Sequence, residues 1–174
     1  EHSMKQNGRT LKQRLFGIRY LPDRLARVRH FRGHGVHSPY IYAIVRQVFM
    51  VKDLKEGDRT LYEDLLALGA PKRRAVQLQN LKIHCGYHHH AVNRIEEKSE
   101  LVILTSDLGE AESRALFREA AVRRVTLVIS RPYACRERIQ FCDSLIEEHP
   151  CTSVDNRGYL LIFNNHLPKQ HFRL

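Results

Sequence analysis

Two short runs of apolar residues constrain the fold of this chain more than any other feature of its sequence. Leu101–Leu104 and Val125–Ile129 are continuous apolar segments. Such runs are typical of strands that are buried on both faces of a parallel sheet. The segment between them, residues 109–122, is rich in Ala and Glu and is predicted to be helical. The sequence therefore predicts a parallel strand pair joined by a right-handed helical crossover, which indicates an α/β fold.

The C-terminal part of the chain continues this pattern with a helix and a hairpin. Glu137–Glu148 has the apolar spacing of an amphipathic helix, and Cys142 lies on its predicted core face. Cys151–Val154 and Tyr159–Phe163 are predicted to be strands. Because Asp155–Gly158 is rich in turn-forming residues, we expect these two strands to form a β-hairpin.

The N-terminal part is predicted to be helical and basic. Apolar residues recur at spacings of three and four over residues 4–32, and Pro22 is expected to divide this segment into two short helices. A turn precedes Ser38-Pro39, which is typical of a helix start with Ser38 as the N-cap. Leu61–Leu68 is predicted to be helical, whereas residues 73–83 leave helix and strand open. The sequence thus predicts a basic helical segment, residues 4–60, packed on an α/β core, residues 61–174, in one compact domain.

Positive charge is concentrated near the N-terminus. The 174 residues include 29 Lys or Arg and 19 Asp or Glu, a formal net charge of +10, of which +8 belongs to residues 1–50. This asymmetry is expected of an arm that binds nucleic acid or another polyanion. A solvated helical face with ion pairs to the rest of the fold gives the same pattern, and it is the commoner origin of such charge.

Composition and cysteine usage narrow the class of protein. Hydrophobic residues make up 43% of the chain and charged residues 28%, as expected of a globular domain rather than a disordered chain. No apolar run approaches the roughly 18 residues that a membrane-spanning helix needs, and no secretory signal is visible. The four cysteines form no C-x-x-C pair. We therefore expect reduced thiols in a cytoplasmic protein.

Two motifs at opposite ends of the chain resemble those of a known family. Residues 32–42, RGHGVHSPYIY, are similar to the H-G-[IV]-H-S-P-F-V-[YF] motif of a group of Bacteroidetes class I S-adenosylmethionine-dependent methyltransferase-like proteins. Residues 152–163, TSVDNRGYLLIF, and residues 169–172, KQHF, resemble that family's V-x-[IV]-D-…-G-[IL]-[LV]-F-F-…-K-Q-H-[FY] ending. The likeness covers residues 28–60 and 100–174. It implies a Rossmann-like core with a C-terminal β-hairpin, in which residues 169–173 form the final edge of the sheet.

The cofactor elements that this resemblance implies are missing from the sequence. A Rossmann-like methyltransferase needs a Gly-rich loop after its first strand and an acidic residue after its second strand. Of the nine glycines only Gly33 and Gly35 form G-x-G, and they follow a basic helix rather than a strand. Residues 61–99 are also too few for the three strands and two helices that should precede residue 100. We therefore expect a truncated, class I methyltransferase-type sheet.

These departures favour a degenerate methyltransferase-like protein that is non-catalytic, binds no cofactor and acts as an interaction or assembly module. Two alternatives stay open. One is an S-adenosylmethionine-dependent methyltransferase with an atypical or dimer-completed cofactor site, and the other is nucleic-acid or polyanion binding through residues 4–32. Because a truncated sheet leaves apolar surface to be covered, we also expect a homodimer, with the N-terminal helices or the shortened edge at the interface.

Five residues form the candidate pocket. His34 and His37 flank the turn before Ser38, where they line a pocket or fix the turn through hydrogen bonds to the backbone. The helix start at Ser38 is a place where an anion can bind. Asp107 and Tyr133 follow the two predicted parallel strands, at the edge where open α/β sheets bind ligands, although Asp107 equally fits a helix N-cap. The sequence assigns no catalytic or cofactor-binding residue.

A second cluster has the residue types of a metal site. Imidazole and thiolate groups suit Zn²⁺, and the weak candidates are His84, Cys85, His88 and His90. Their spacing, H-C-x-x-H-H-H, matches no standard zinc motif. The sequence therefore favours a surface loop with partly exposed histidines and predicts no metal.

Overall fold

A computed structural model of the chain describes residues 37–174. The chain divides into two compact units, of which unit 1 ends at Gly86 and unit 2 runs from Tyr87 to Leu174. The sequence interpretation placed its boundary after residue 60. That interpretation also involves residues 4–36, which lie outside the described residues, so the packing of the basic segment on the core stays a prediction.

Unit 1 begins with the helix that Ser38-Pro39 predicts. Helix α1 spans Pro39–Ile44 and continues into a π-helical turn, Val45–Phe49. The Ser38 hydroxyl accepts a hydrogen bond from the Ile41 backbone N–H at 3.4 Å, which confirms Ser38 as the N-cap. The predicted apolar stripe is buried as one surface, and its members are Ile41, Ile44, Val45, Val48 and Phe49.

Two further helices complete the described part of unit 1. Helix α2, Thr60–Ala67, confirms the predicted helix over residues 61–68, and it ends before Gly69, whose φ of 77° is in the left-handed region. Helix α3, Lys72–His84, occupies the segment that the sequence left undecided. The eight consecutive residues from 75 to 82 are all buried, and four of them are polar: Gln77, Gln79, Asn80 and Lys82.

These buried polar side chains of α3 hold the neighbouring loop. The Asn80 amide accepts a hydrogen bond from the Lys55 backbone N–H and donates one to the Asp53 carbonyl, each at 2.9 Å. The Gln79 carbonyl oxygen accepts a hydrogen bond from the Tyr62 backbone N–H, also at 2.9 Å. Side chains of α3 thus satisfy backbone groups of the loop and of the first turn of α2, and they fix both segments to α3.

Lys82 makes the one ion pair of unit 1 that involves a buried charge among the described residues. Its ammonium group, on a side chain that is 3% exposed, donates hydrogen bonds to the Asp58 carboxylate and to the Thr60 hydroxyl. Lys82 and the Thr60 hydroxyl and backbone N–H together hold the pKa of Asp58 well below its usual value. The pair joins the start of α2 to the end of α3.

Unit 2 contains a six-stranded mixed sheet. Its strands are β1 His90–Val92, β2 Leu101–Leu104, β3 Thr126–Ser130, β4 Thr152–Asp155, β5 Tyr159–Ile162 and β6 Gln170–Arg173. Their order across the sheet is β1-β2-β3-β5-β4-β6, and only β5 runs antiparallel to its neighbours. The predicted parallel pair and the predicted hairpin are both confirmed.

Helices α4, Glu110–Arg123, and α5, Arg136–Glu148, follow β2 and β3 and agree with the predicted helices. Both pack in one hydrophobic core with residues on one face of the sheet. The core members from the helices are Phe117, Ala120, Phe141, Cys142 and Leu145. Strands β2, β4 and β5 are buried at every residue, as expected of a sheet with both faces covered. The fold is therefore α/β, and its mixed sheet is compatible with a Rossmann-like fold.

Of the two edge strands of the sheet, the sequence analysis anticipated one and missed the other. Strand β1, at one edge, lies in the segment that was interpreted as a histidine-rich loop, and the sequence analysis missed it. Strand β6 lies at the other edge, beside β4, where the family resemblance placed residues 169–173. Among residues 37–174, no helix combines the length and apolar character needed to cross a bilayer.

Replacing Asp58 with Ala tests the buried pair. The variant leaves the Lys82 ammonium without its carboxylate, so we expect the free energy of unfolding at pH 7 to fall by about 1–3 kcal/mol in urea titrations. Because the folded-state pKa of Asp58 is lowered, its contribution is present above pH 4 and is lost as the pH falls below the unfolded value of 3.8. The difference between wild type and variant should therefore shrink at pH 3. Asp53→Ala, an exposed acid of the same loop, is the control, and equal stability of the two variants at pH 7 would contradict the role of the pair.

Candidate functional site

The carboxyl ends of β1, β2 and β3 lie at the same edge of the sheet, because these strands are parallel. We call the residues that follow them, 93–94, 105–109 and 131–135, the carboxyl edge. In open α/β sheets, ligands bind outside the carboxyl ends of the strands. The side chains at this edge are therefore the first candidates for a functional site.

Asn93 and Thr105 join the ends of β1 and β2. The Asn93 amide accepts a hydrogen bond from the Thr105 backbone N–H at 2.9 Å and donates one to the Thr105 hydroxyl at 2.6 Å. Asn93 also donates its backbone N–H to the Ile103 carbonyl at 2.9 Å, and its φ is 56°. Asn is one of the few residues that adopt the left-handed region at low cost. Sequence analysis missed Asn93, because it missed β1.

Asp107 lies at the carboxyl edge, as predicted, and is exposed. Hydrogen bonds from the Thr105 hydroxyl and from its own backbone N–H lower the pKa of its carboxyl group. The alternative that Asp107 caps the following helix is wrong, because the N-cap of α4 is Gly109, which has no side chain to accept a bond. Asp107 is thus an exposed carboxylate held by the β2 end.

Arg138 reaches the same edge from the first turn of α5. Its Nη2 donates hydrogen bonds to the Ser130 carbonyl at 3.2 Å and to the Thr105 carbonyl at 3.5 Å. Arg138 is only 9% exposed, and its Nε atom is buried without a hydrogen-bond partner. Sequence analysis missed this residue because arginines on an amphipathic helix usually lie on the solvent face. The one signal that Arg138 could be buried is Phe141, an apolar residue three positions further along the same helix.

Tyr133 lines a small pocket on the other side of the start of α5. The pocket is shallow and open to solvent, and it is lined by Tyr133, Cys142, Asp143, Asp155, His171 and Arg173 among others. The Tyr133 hydroxyl donates a hydrogen bond to the Asp155 carboxylate, and the Arg157 backbone N–H donates one at 2.8 Å. Asp155 is 4% exposed, so these donors replace the water that it loses on burial.

The charges in this pocket are coupled. Burial, together with the nearby Asp155 and Glu147, raises the pKa of Asp143, and Arg173 opposes the shift. Burial raises the pKa of the Cys142 thiol to about 12, so this thiol is a core group, as predicted, and not a nucleophile at neutral pH. The arrangement has acids and bases in one place but holds no activated nucleophile.

The structure describes four of the five predicted pocket residues, and it places two of them in each unit. His34 lies outside the described residues. His37 and Ser38 belong to unit 1, where His37 is exposed and Ser38 caps α1. Asp107 and Tyr133 belong to unit 2, but Asp107 is not among the residues that line the Tyr133 pocket.

The weak metal candidates are likewise distributed. His84 and Cys85 end α3 in unit 1, and the Cys85 thiol contacts the Tyr40 hydroxyl at 3.5 Å. In unit 2, His88 is an exposed residue whose backbone N–H donates to the Glu100 carboxylate at 2.6 Å. His90 begins β1. Within the described residues, no group of three or more His, Cys, Asp or Glu side chains is placed to hold a metal ion. All four cysteines are free thiols.

No family model, no curated protein and no solved structure matches the chain.

Two substitutions at Asn93 separate its side-chain bonds from its backbone conformation. Asn93→Gly keeps the left-handed φ accessible but removes both bonds to Thr105, so we expect a loss of about 1–2 kcal/mol in the free energy of unfolding. Asn93→Ala should cost about 1 kcal/mol more, because Ala is strained at this φ. Arg124→Gly is the control, since Arg124 has a φ of 58° but no side-chain hydrogen bond. Urea unfolding that shows the same change for both Gly variants would exclude a locking role for Asn93.

Proposed function

We propose that the chain is a truncated methyltransferase-type domain that does not bind S-adenosylmethionine and works as a non-catalytic interaction module. The sheet ends in the hairpin that the family resemblance implies, with β5 antiparallel between β3 and β4. This topology supports the methyltransferase-type ancestry. The features that are unfavourable for cofactor binding lie towards the opposite edge of the sheet, at β1 and β2.

The connection from β1 to β2 is the observation that carries the proposal. It consists of residues 93–100, contains neither a helix nor a glycine, and still joins two parallel strands. Parallel strands usually need a crossover of a dozen or more residues with a helix. A Rossmann-type site uses a Gly-rich turn after its first strand to let its backbone approach the ligand, and it directs a helix N-terminus at the ligand. Residues 93–100 provide neither element.

The side chains at this position reinforce the same conclusion. Asn93 and Thr105 use their polar groups on each other, at 2.6 and 2.9 Å, and Arg94 pairs with Glu96 at 2.6 Å. The polar groups at the end of β1 therefore bind the end of β2 and are not available to bind a nucleoside.

Calorimetric titration of the full chain with S-adenosylmethionine and S-adenosylhomocysteine tests this proposal. We expect no saturable heat up to high micromolar ligand, and no rise of the melting temperature, because a ligand that binds the folded state would stabilise it. Cooperative thermal unfolding of the same preparation is the control for folded protein. Saturable binding of either compound would overturn the proposal and favour the methyltransferase alternative, with an atypical or dimer-completed site.

A second candidate function, polyanion binding, is supported by the distribution of charge between the units. Residues 87–174 contain twelve Lys or Arg and twelve Asp or Glu, so the formal net charge of +10 belongs entirely to residues 1–86. A nucleic acid would therefore be attracted to the N-terminal part of the chain and not to the sheet. The homodimer expected from the truncated sheet remains a separate proposal.

Charge substitutions test the polyanion candidate. The first variant replaces four N-terminal residues with Gln: Lys5, Arg9, Lys12 and Arg14. It should elute from an immobilised nucleic acid at a lower salt concentration than the wild type, because fewer counterions are released on binding. The matched control carries four Gln residues in unit 2, at Lys98, Arg118, Arg123 and Arg124, and should elute with the wild type. Retention that ignores salt, or an equal effect of both variants, would contradict an N-terminal polyanion site.

A further inference from the structure

The buried guanidinium of Arg138 lacks a counter-charge. Its contacts are the main-chain carbonyls of Thr105 and Ser130 and the ring of Phe141, whose centroid lies 5.7 Å from the guanidinium carbon. No carboxylate of the described residues forms an ion pair with it, and its Nε has no hydrogen-bond partner. Buried charges in proteins are normally paired, because removal from water is costly. A bound anion would therefore offset the cost of burying the Arg138 charge.

The position of Arg138 in the fold strengthens this requirement. It lies in the first turn of α5, a helix of 13 residues, where the helix dipole adds partial positive charge. The N-cap of α5 is Cys135, whose thiol accepts the Arg138 backbone N–H at 3.4 Å and is only a weak acceptor. The guanidinium also bridges the carboxyl ends of β2 and β3, which is where open α/β sheets bind ligands.

Two exposed arginines flank the same helix start. Arg136 is the first residue of α5, and Arg131 directly follows β3. Arg131 has a φ of 50°, and its backbone N–H donates to the Gly158 carbonyl at 3.0 Å. Asp107 and Glu137 are the nearby acids, and each carboxylate accepts its own backbone N–H. Neither carboxylate forms an ion pair with an arginine of this group, although the charge of Arg136 contributes to lowering the pKa of Glu137.

We propose that Arg131, Arg136 and Arg138 bind the phosphate group of a small phosphorylated ligand at the start of α5. A phosphate dianion can accept bidentate hydrogen bonds from guanidinium groups. Its two negative charges can also balance two guanidinium groups, whereas a carboxylate carries only one negative charge. This site lies at β2 and β3, apart from the β1–β2 connection. It extends the proposed interaction module by naming a ligand chemistry, and it stands independently of whether S-adenosylmethionine binds.

Titration of the full chain with inorganic pyrophosphate, and separately with AMP, tests the site by calorimetry. We expect saturable binding, with tighter binding of AMP if the source of the phosphate is a nucleotide and equal binding if the phosphate group alone is recognised. Arg131→Gln/Arg136→Gln should weaken binding at least roughly tenfold. Arg118→Gln/Arg124→Gln is the matched control, because it also changes one exposed helical arginine and one arginine with positive φ. No saturable binding, or equal affinity of both double variants, would overturn the proposal.

A substitution of Arg138 separates ligand binding from a structural role. Arg138→Met keeps the length of the side chain and removes the charge, so it should abolish the rise of melting temperature caused by pyrophosphate. The loss of its hydrogen bonds to the Thr105 and Ser130 carbonyls should lower the melting temperature of the unliganded protein, so each pyrophosphate response is measured against the unliganded value of the same variant. Potassium chloride at matched ionic strength should not reproduce that rise. An undiminished pyrophosphate response in Arg138→Met would assign Arg138 a purely structural role and overturn the proposal. If this variant does not fold, the two exposed double variants decide the question. Pyrophosphate binding and S-adenosylmethionine binding are measured separately, so failure of one proposal is distinguishable from failure of the other.

Discussion

The pairing of β2 with β3 is the constraint on which the described part of unit 2 depends. Four register pairs, from Leu101 opposite Thr126 to Leu104 opposite Ile129, join two strands that are almost fully buried. Each fully buried Leu, Ile or Val side chain contributes about 1.5–3 kcal/mol of transfer free energy, so these strands dominate the core. Because α4 connects them and α5 follows β3, both helices are held over one face of the sheet. The carboxyl edge is then positioned by the ends of these same strands.

The parts of the fold that the sequence predicts are those in which burial is continuous or strictly periodic. β2 and β3 are apolar at almost every position, α4 connects them as expected, and α5 follows β3. By contrast, β1 has three residues, of which only Ala91 is buried, so it has no apolar run to detect. Helix α3 was left undecided because Gln79 and Asn80 are buried for their hydrogen bonds to the first turn of α2 and to the preceding loop, and such burial interrupts the apolar period.

The same physical reason limits what the sequence predicts about the site. Tyr133 and Asp107 could be placed because they directly follow predicted strands. Asn93 and Arg138 could not, because their roles depend on contacts with residues that are distant in the sequence: Thr105 for Asn93, and both Thr105 and Ser130 for Arg138. A buried arginine is recognised only when its surroundings are known, since its side chain is ordinarily exposed.

Thr105 contacts both Asn93 and Arg138, the two residues on which the functional proposals rest. Its backbone N–H and hydroxyl are used by Asn93, which closes the β1–β2 end, while its carbonyl accepts from Arg138, which bridges the β2–β3 end. On the β1 side, the polar groups of Thr105 are thus paired within the sheet edge, whereas on the β3 side its carbonyl supports a guanidinium that has no carboxylate partner among the described residues. The proposed loss of cofactor binding and the proposed phosphate site therefore meet at one residue.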